Sequence, residues 1–83
     1  MAEEISFIVN GMPIELTATA VEEAMRGIEP EPIRRHRVTV GDVQYPVKQV
    51  FERVTGLDRL DFTSATARRH LGKLGFKLSR NKS

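Results

Sequence analysis

Ile5, Phe7 and Val9 recur at every second position, and after Asn10-Gly11 so do Met12, Ile14 and Leu16. Asn-Gly between two period-two runs is a strong hairpin signal, because a type I′ turn needs positive φ at both central residues. Counting outward from that turn pairs Val9 with Met12, Phe7 with Ile14 and Ile5 with Leu16, six apolar side chains on one face. Pro13 then falls opposite Ile8, in a pair whose amides point away from each other. It removes no ladder bond there, provided its strand is an edge.

The period changes next. Ala18, Val21, Met25 and Ile28 make a helical stripe over about residues 18–26, with Thr19 and Glu22 as a capping box and Gly27 as the stop. Glu29-Pro30-Glu31-Pro32 breaks the pattern into a loop. Alternation returns in a second hairpin. There Gly41-Asp42 suits a type II′ turn and sets Val40 against Val43 and Val38 against Tyr45, with Thr39 and Gln44 on the polar side.

Pro46 reads as the first residue of a second helix, where its missing N–H costs nothing. Val47, Val50, Phe51 and Val54 stand at i, i+3, i+4 and i+7, and Gly56 ends the run. Thr63 or Ser64 caps a third helix with a buried stripe of Ala67, Leu71 and Leu74, stopped by Gly75. Leu57, Leu60 and Phe62 read as core anchors in the connection. Residues 76–79 suit a last short strand, and 80–83 a frayed basic tail. The order β-β-α-β-β-α-α-β predicts an α+β domain over residues 1–83. Two hairpins and a short C-terminal strand form a sheet packed against three helices.

Composition narrows the function. A chain of 83 residues makes one domain, which buries about 60–65% of its unfolded surface and has no room for a separate catalytic layer. With 40% apolar and 29% charged residues it is not a disordered chain. Cysteine is absent, so disulfides and thiolate metal sites are excluded. Met1-Ala2-Glu3-Glu4 lacks the layout of a signal peptide, and no apolar run reaches the length of a membrane span. The expectation is a cytoplasmic protein with no membrane partner.

The net charge of +2 hides a split. Residues 1–33 hold seven acids against Arg26 alone, whereas residues 34–83 hold twelve Arg or Lys against four acids. Such asymmetry points to nucleic-acid contact or to solubilising faces of opposite sign. On a helical projection, the solvent side of the third helix carries Ala65, Arg68, Arg69, Gly72 and Lys73. Gly72 costs about 1 kcal/mol against Ala inside a helix. Either a small face admits a phosphate backbone, or Gly72 lies against another part of the chain. Arg68, Arg69 and Lys73 are candidates to neutralise phosphates, with Thr63, Ser64 and Thr66 donating from the helix N-terminus. Arg34, Arg35 and Arg37 form a basic run with His36, which grips phosphates or pairs with Glu29 and Glu31.

The connection between the last two helices is too long for a strict helix-turn-helix. His36 and His70 have no partner at metal-ligand spacing, and His70 reads as a surface or boundary residue. Gly72-Lys73 lacks the rest of a phosphate-binding loop motif. No catalytic residue, metal, cofactor or small-molecule substrate is expected.

Two resemblances add to this. The stretch from Val38 to Phe76, VTVGDVQYPVKQVFERVTGLDRLDFTSATARRHLGKLGF, resembles a small domain of high-GC bacteria. That domain occurs alone or at the N-terminus of Mcr-type HNH restriction endonucleases. The resemblance implies a nucleic-acid-associated accessory domain, with Lys48 and Gln49 facing outward as contacts. The HNH motif is absent, so no cleavage carries over. The opening stretch, Ile5 to Met25, is similar to the hairpin-helix start of β-grasp modules. It lacks the ferredoxin cysteines and the terminal Gly-Gly of ubiquitin-like carriers, so only shape carries over. The expectation is a non-catalytic DNA-binding, alternatively RNA-binding, domain. Its third helix provides the main surface, with Lys48, Gln49, Arg53 and the Arg34–Arg37 run assisting. The alternative is a protein-interaction or self-associating module, including a homodimer, in which an acidic half meets a basic half.

Overall fold

The computed structural model describes residues 4–33 and 35–80. Strands β1 (Glu4–Val9) and β2 (Met12–Thr17) form the first hairpin. Its register is the one counted from the turn: Val9 to Met12, Ile8 to Pro13, Phe7 to Ile14, Ile5 to Leu16. Asn10 and Gly11 take φ of 51° and 79°, as a type I′ turn demands.

Helix α1 (Ala18–Met25) starts directly off β2. Thr17 keeps extended dihedrals, and its hydroxyl accepts the Ala20 N–H at 3.0 Å. The expected Thr19–Glu22 capping box therefore gives way to a cap two residues earlier, and Thr19 lies within the first turn.

Strands β3 (His36–Val40) and β4 (Val43–Pro46) form the second hairpin, with Val38 opposite Tyr45 and Val40 opposite Val43. Gly41 and Asp42 take φ of 57° and 67°, so the turn is type I′ rather than the expected II′. Asp can adopt the left-handed conformation, and two positive φ values match the strand twist. Strand β5 (Lys77–Arg80) pairs with the other edge of β3, setting Arg80 opposite His36. Arg80, expected in a frayed tail, thus ends a paired strand. Residues 81–83 lie outside the described residues.

Helix α2 (Val47–Thr55) starts one residue later than expected, with Pro46 as its N-cap instead of its first residue, and is ended by Gly56 at φ 75°. A 3-10 turn (Arg59–Asp61) leads into α3 (Ser64–Lys73), where the Thr63 hydroxyl accepts the Thr66 N–H at 3.1 Å. The fold is α+β. Among the described residues five strands divide into two antiparallel sheets, β1-β2 and β4-β3-β5, instead of one. α2 packs on strands of both sheets and on both other helices, so it joins the layers. The β-grasp-like opening stays a hairpin and a helix, because β1 and β2 pair only with each other among the described residues.

Phe51 is fully buried on α2. Its ring meets Phe62 edge-on at 4.8 Å and stacks with Phe7 at 5.8 Å and His70 at 6.0 Å. Leu57 and Phe62 are buried as expected, but Leu60 is 93% exposed because the 3-10 turn points it outward.

His70 also departs from expectation. It is 6% exposed and stacks on Phe7 at 3.8 Å, because the first hairpin covers that flank of α3. Burial, then Arg69 and Lys73, push its imidazole below the ordinary value of 6.5. The unfolded chain therefore binds the proton more readily. Stability is full above pH 6.5 and falls as pH drops from there towards the lowered folded value. Each pH unit in that window costs about 1.4 kcal/mol for one fully titrating group. Melting temperatures compared between about pH 7.5 and pH 5.5 should fall, and His70→Phe should remove most of the fall.

Tyr45 is buried, and its hydroxyl donates to the carbonyls of Met25 and Ile28, each at 3.1 Å. It ties the end of α1 to the second sheet. Tyr45→Phe leaves those carbonyls short of a donor, and urea unfolding should register a loss of about 1–3 kcal/mol.

Candidate functional site

A cleft of about 560 Å³ opens where β3 begins and where α2 and α3 begin. Pro32, Pro46 and Val47 supply its apolar lining, and Arg35, His36, Lys48 and Ser64 its polar lining, with Glu31 and Arg59 completing the wall.

Gln49 sets one wall. Its amide oxygen accepts the Glu31 N–H at 2.9 Å, and its amide nitrogen donates to the Glu29 carbonyl at 3.0 Å. The side chain is 7% exposed. The expected outward contact at Gln49 is therefore corrected: it is a buried clamp that pins the Pro-rich loop onto α2. Arg59 secures the same loop, at 2.7 Å from Glu31 and 2.9 Å from Glu52. The Arg59 hydrogen bond holds the Glu31 carboxyl below its ordinary value, and the two carboxylates fix the Arg59 charge more firmly. Glu31 is thereby neutralised, and among the described residues Arg35 and Lys48 are the lining cations without an ion pair.

His36 is half-buried at the start of β3. Burial lowers its imidazole below the ordinary value, and Arg68, Arg80 and Arg35 lower it further. Arg80 stands opposite His36 across the β3–β5 pair, at the end of the sheet that borders the cleft. Arg68 follows Ser64 by one turn on the same face of α3. Its Nε is enclosed without a hydrogen-bond partner. Lys48 Nζ lies 5.9 Å from the Phe62 ring centre, at the limit of a cation–π contact.

A family model described as SCO5918-like matches residues 5–83. The chain belongs to the SCO5918-like family. No curated protein and no solved structure matches it. The match takes in every residue that lines the cleft of this SCO5918-like domain.

The other expected contacts lie elsewhere in the SCO5918-like domain. Arg37 sits on the opposite face of β3 from His36 and donates to Ser79 Oγ at 3.0 Å and to Gln44 Oε1 at 3.2 Å. Arg53 is five residues from Lys48 and so points to a different side of α2. Arg69 and Lys73 are exposed and bracket His70 rather than the cleft. The hydroxyls of Thr63 and Thr66 serve the helix start and each other, at 3.2 Å. Arg34 lies outside the described residues.

A Cβ on Gly72 would meet Leu78 Cδ1 at 3.2 Å. Gly72 is therefore small because β5 lies against it, and that flank of α3 is covered by the chain itself. Sequence reasoning placed His36 in the basic run without making it a contact, and missed Arg59 and Arg80 as members of the site. Reading the last strand one residue further was the only local signal for Arg80, and none existed for Arg59. Among the described residues, no three His, Cys, Asp or Glu side chains gather as a metal site, and no helix is long and apolar enough to cross a membrane.

Proposed function

We propose that this domain binds nucleic acid, DNA first, without cleaving it. The contact is the cleft and its border rather than the exposed length of α3. The observation that carries this reading is that Arg35 and Lys48 line one cleft with His36, while Arg80 stands opposite His36 across the strand pair and Arg68 lies one helical turn beyond the lining Ser64. Two features add to it. α2 and α3 both begin at the cleft, so their positive dipole ends face an incoming phosphate. α2 also has no side-chain cap to occupy its first amides. The resemblance to the N-terminal region of Mcr-type endonucleases points the same way and makes an accessory role in DNA restriction the natural setting.

Four engaged cations set the salt dependence. The log–log slope of affinity against salt should be about −3 to −4. Fluorescence anisotropy at two or more salt concentrations measures it. Absence of binding at low salt, or binding indifferent to salt, would remove the proposal.

One observation favours a second reading, self-association. Met12 and Leu60 are exposed and flank the point where the Asn10 amide donates to the Asp61 carbonyl at 3.4 Å. The hairpin beside them carries Glu4 and Glu15 and no cation, and a second copy could bring its basic end against it. Light scattering separates the readings: a dimer without affinity for nucleic acid supports this one.

A further inference from the structure

We propose that the cleft admits one unstacked nucleotide of a single strand, its base against Pro32, Pro46 and Val47 and its phosphate between Arg35 and Lys48. This rests on the nucleic-acid reading above.

The first argument is the apolar wall. Phosphate binding explains the cations but gives Pro32, Pro46 and Val47 nothing to do. Their exposure is graded: Pro32 is exposed, Pro46 half-buried and Val47 2% exposed. The wall therefore runs inward from the surface past the cations. Neither proline has an amide hydrogen, and no apolar wall can read a base edge. Such a surface accepts the flat face of any base.

The second argument is size. A volume of about 560 Å³ falls in the range of about 300–1,000 Å³ that holds drug-sized ligands. Inorganic phosphate would leave most of it unfilled, whereas a nucleotide unit would occupy it. The third is access. A duplex presents its phosphates outward and keeps its bases stacked inside, so it can reach the cations but not the wall. Only an unpaired or extruded base can enter. His36 belongs to the same lining, and burial together with the neighbouring guanidiniums favours its neutral form. A neutral imidazole offers a π-face to a base without adding another cation.

The test compares the intact chain on a short thymidine oligonucleotide and on a duplex of equal length, at about 50 mM salt. The single strand should bind about tenfold tighter. Ser64→Trp, which fills the cleft from the first turn of α3, should abolish that preference. In case Ser64→Trp does not fold, the native chain is titrated with thymidine 5′-monophosphate and with inorganic phosphate while backbone amide shifts are followed. The nucleotide should move Val47, Lys48 and Ser64 well beyond what phosphate does. Equal duplex and single-strand affinity, or equal shifts from phosphate and nucleotide, overturns the single-nucleotide cleft and leaves nucleic-acid binding standing. If neither oligonucleotide binds, both proposals fall.

Discussion

Phe51→Ala is expected to lower the free energy of unfolding by about 3–5 kcal/mol. Phe51 has no exposed surface, and its ring is shared among Phe62, Phe7 and His70. Those three partners come from the connection before α3, from β1 and from α3, so truncation opens a gap where separate parts of the chain meet. At about 0.05–0.15 kcal/mol per residue, a domain of this length holds about 4–12 kcal/mol in all. The variant should therefore unfold at a much lower urea concentration, or be largely unfolded without any. Far-ultraviolet circular dichroism across a urea titration reads the change. A loss below about 1 kcal/mol would mean that the surrounding rings collapse into the gap, and that α2 is not the joint between the layers.

Replacing Arg35 and Lys48 together by Ala should weaken nucleic-acid binding by roughly 100-fold at about 50 mM salt, and should make the salt slope shallower by about 2. The matched control is Arg53→Ala with Lys73→Ala. It removes the same charge from exposed positions away from the cleft, so its effect should be several-fold at most. If the two pairs weaken binding equally, affinity reflects net charge and the cleft has no special part in it. Unfolding midpoints of both variants should stay near the wild-type value, since surface substitutions of this kind usually shift stability by no more than about 0.5 kcal/mol.

Both hairpin registers were legible in the sequence because turn chemistry and a period of two act over neighbouring residues. Asn10-Gly11 aligns six apolar side chains with no information from elsewhere. The α3 cap at Thr63 was readable for the same reason. The turn type at Gly41-Asp42 was harder, since Asp can follow either geometry and the strand twist decides. Gln49 was not legible at all. On a helical projection it stands on the side away from the buried stripe, and its burial follows from a loop eighteen residues upstream folding over it. His70 fails for a like reason: only the arrival of Phe7 from the first hairpin turns that flank of α3 into interior. The site divides along the same line. Arg35 and Ser64 were named from residue type and local spacing and Lys48 from the resemblance, and the three do share the cleft. What gathers them with His36, Arg59 and Arg80 is the packing of α2 and α3 on the second sheet, which no local pattern encodes.

The division into two sheets has a mechanical consequence. Among the described residues no interstrand ladder links β1 and β2 to the second sheet. What holds the pair in place is side-chain packing, the chain continuing through Thr17, and the contact from Asn10 to Asp61. The N-terminal ribbon can therefore peel away, or trade places with that of a neighbouring molecule, while every rung among β3, β4 and β5 stays intact. Its pivot is Thr17, at once the last residue of a strand and the cap of a helix. Swinging the ribbon out would strip Phe7 from His70 and let water reach the imidazole, so a protonated His70 and a detached ribbon favour one another.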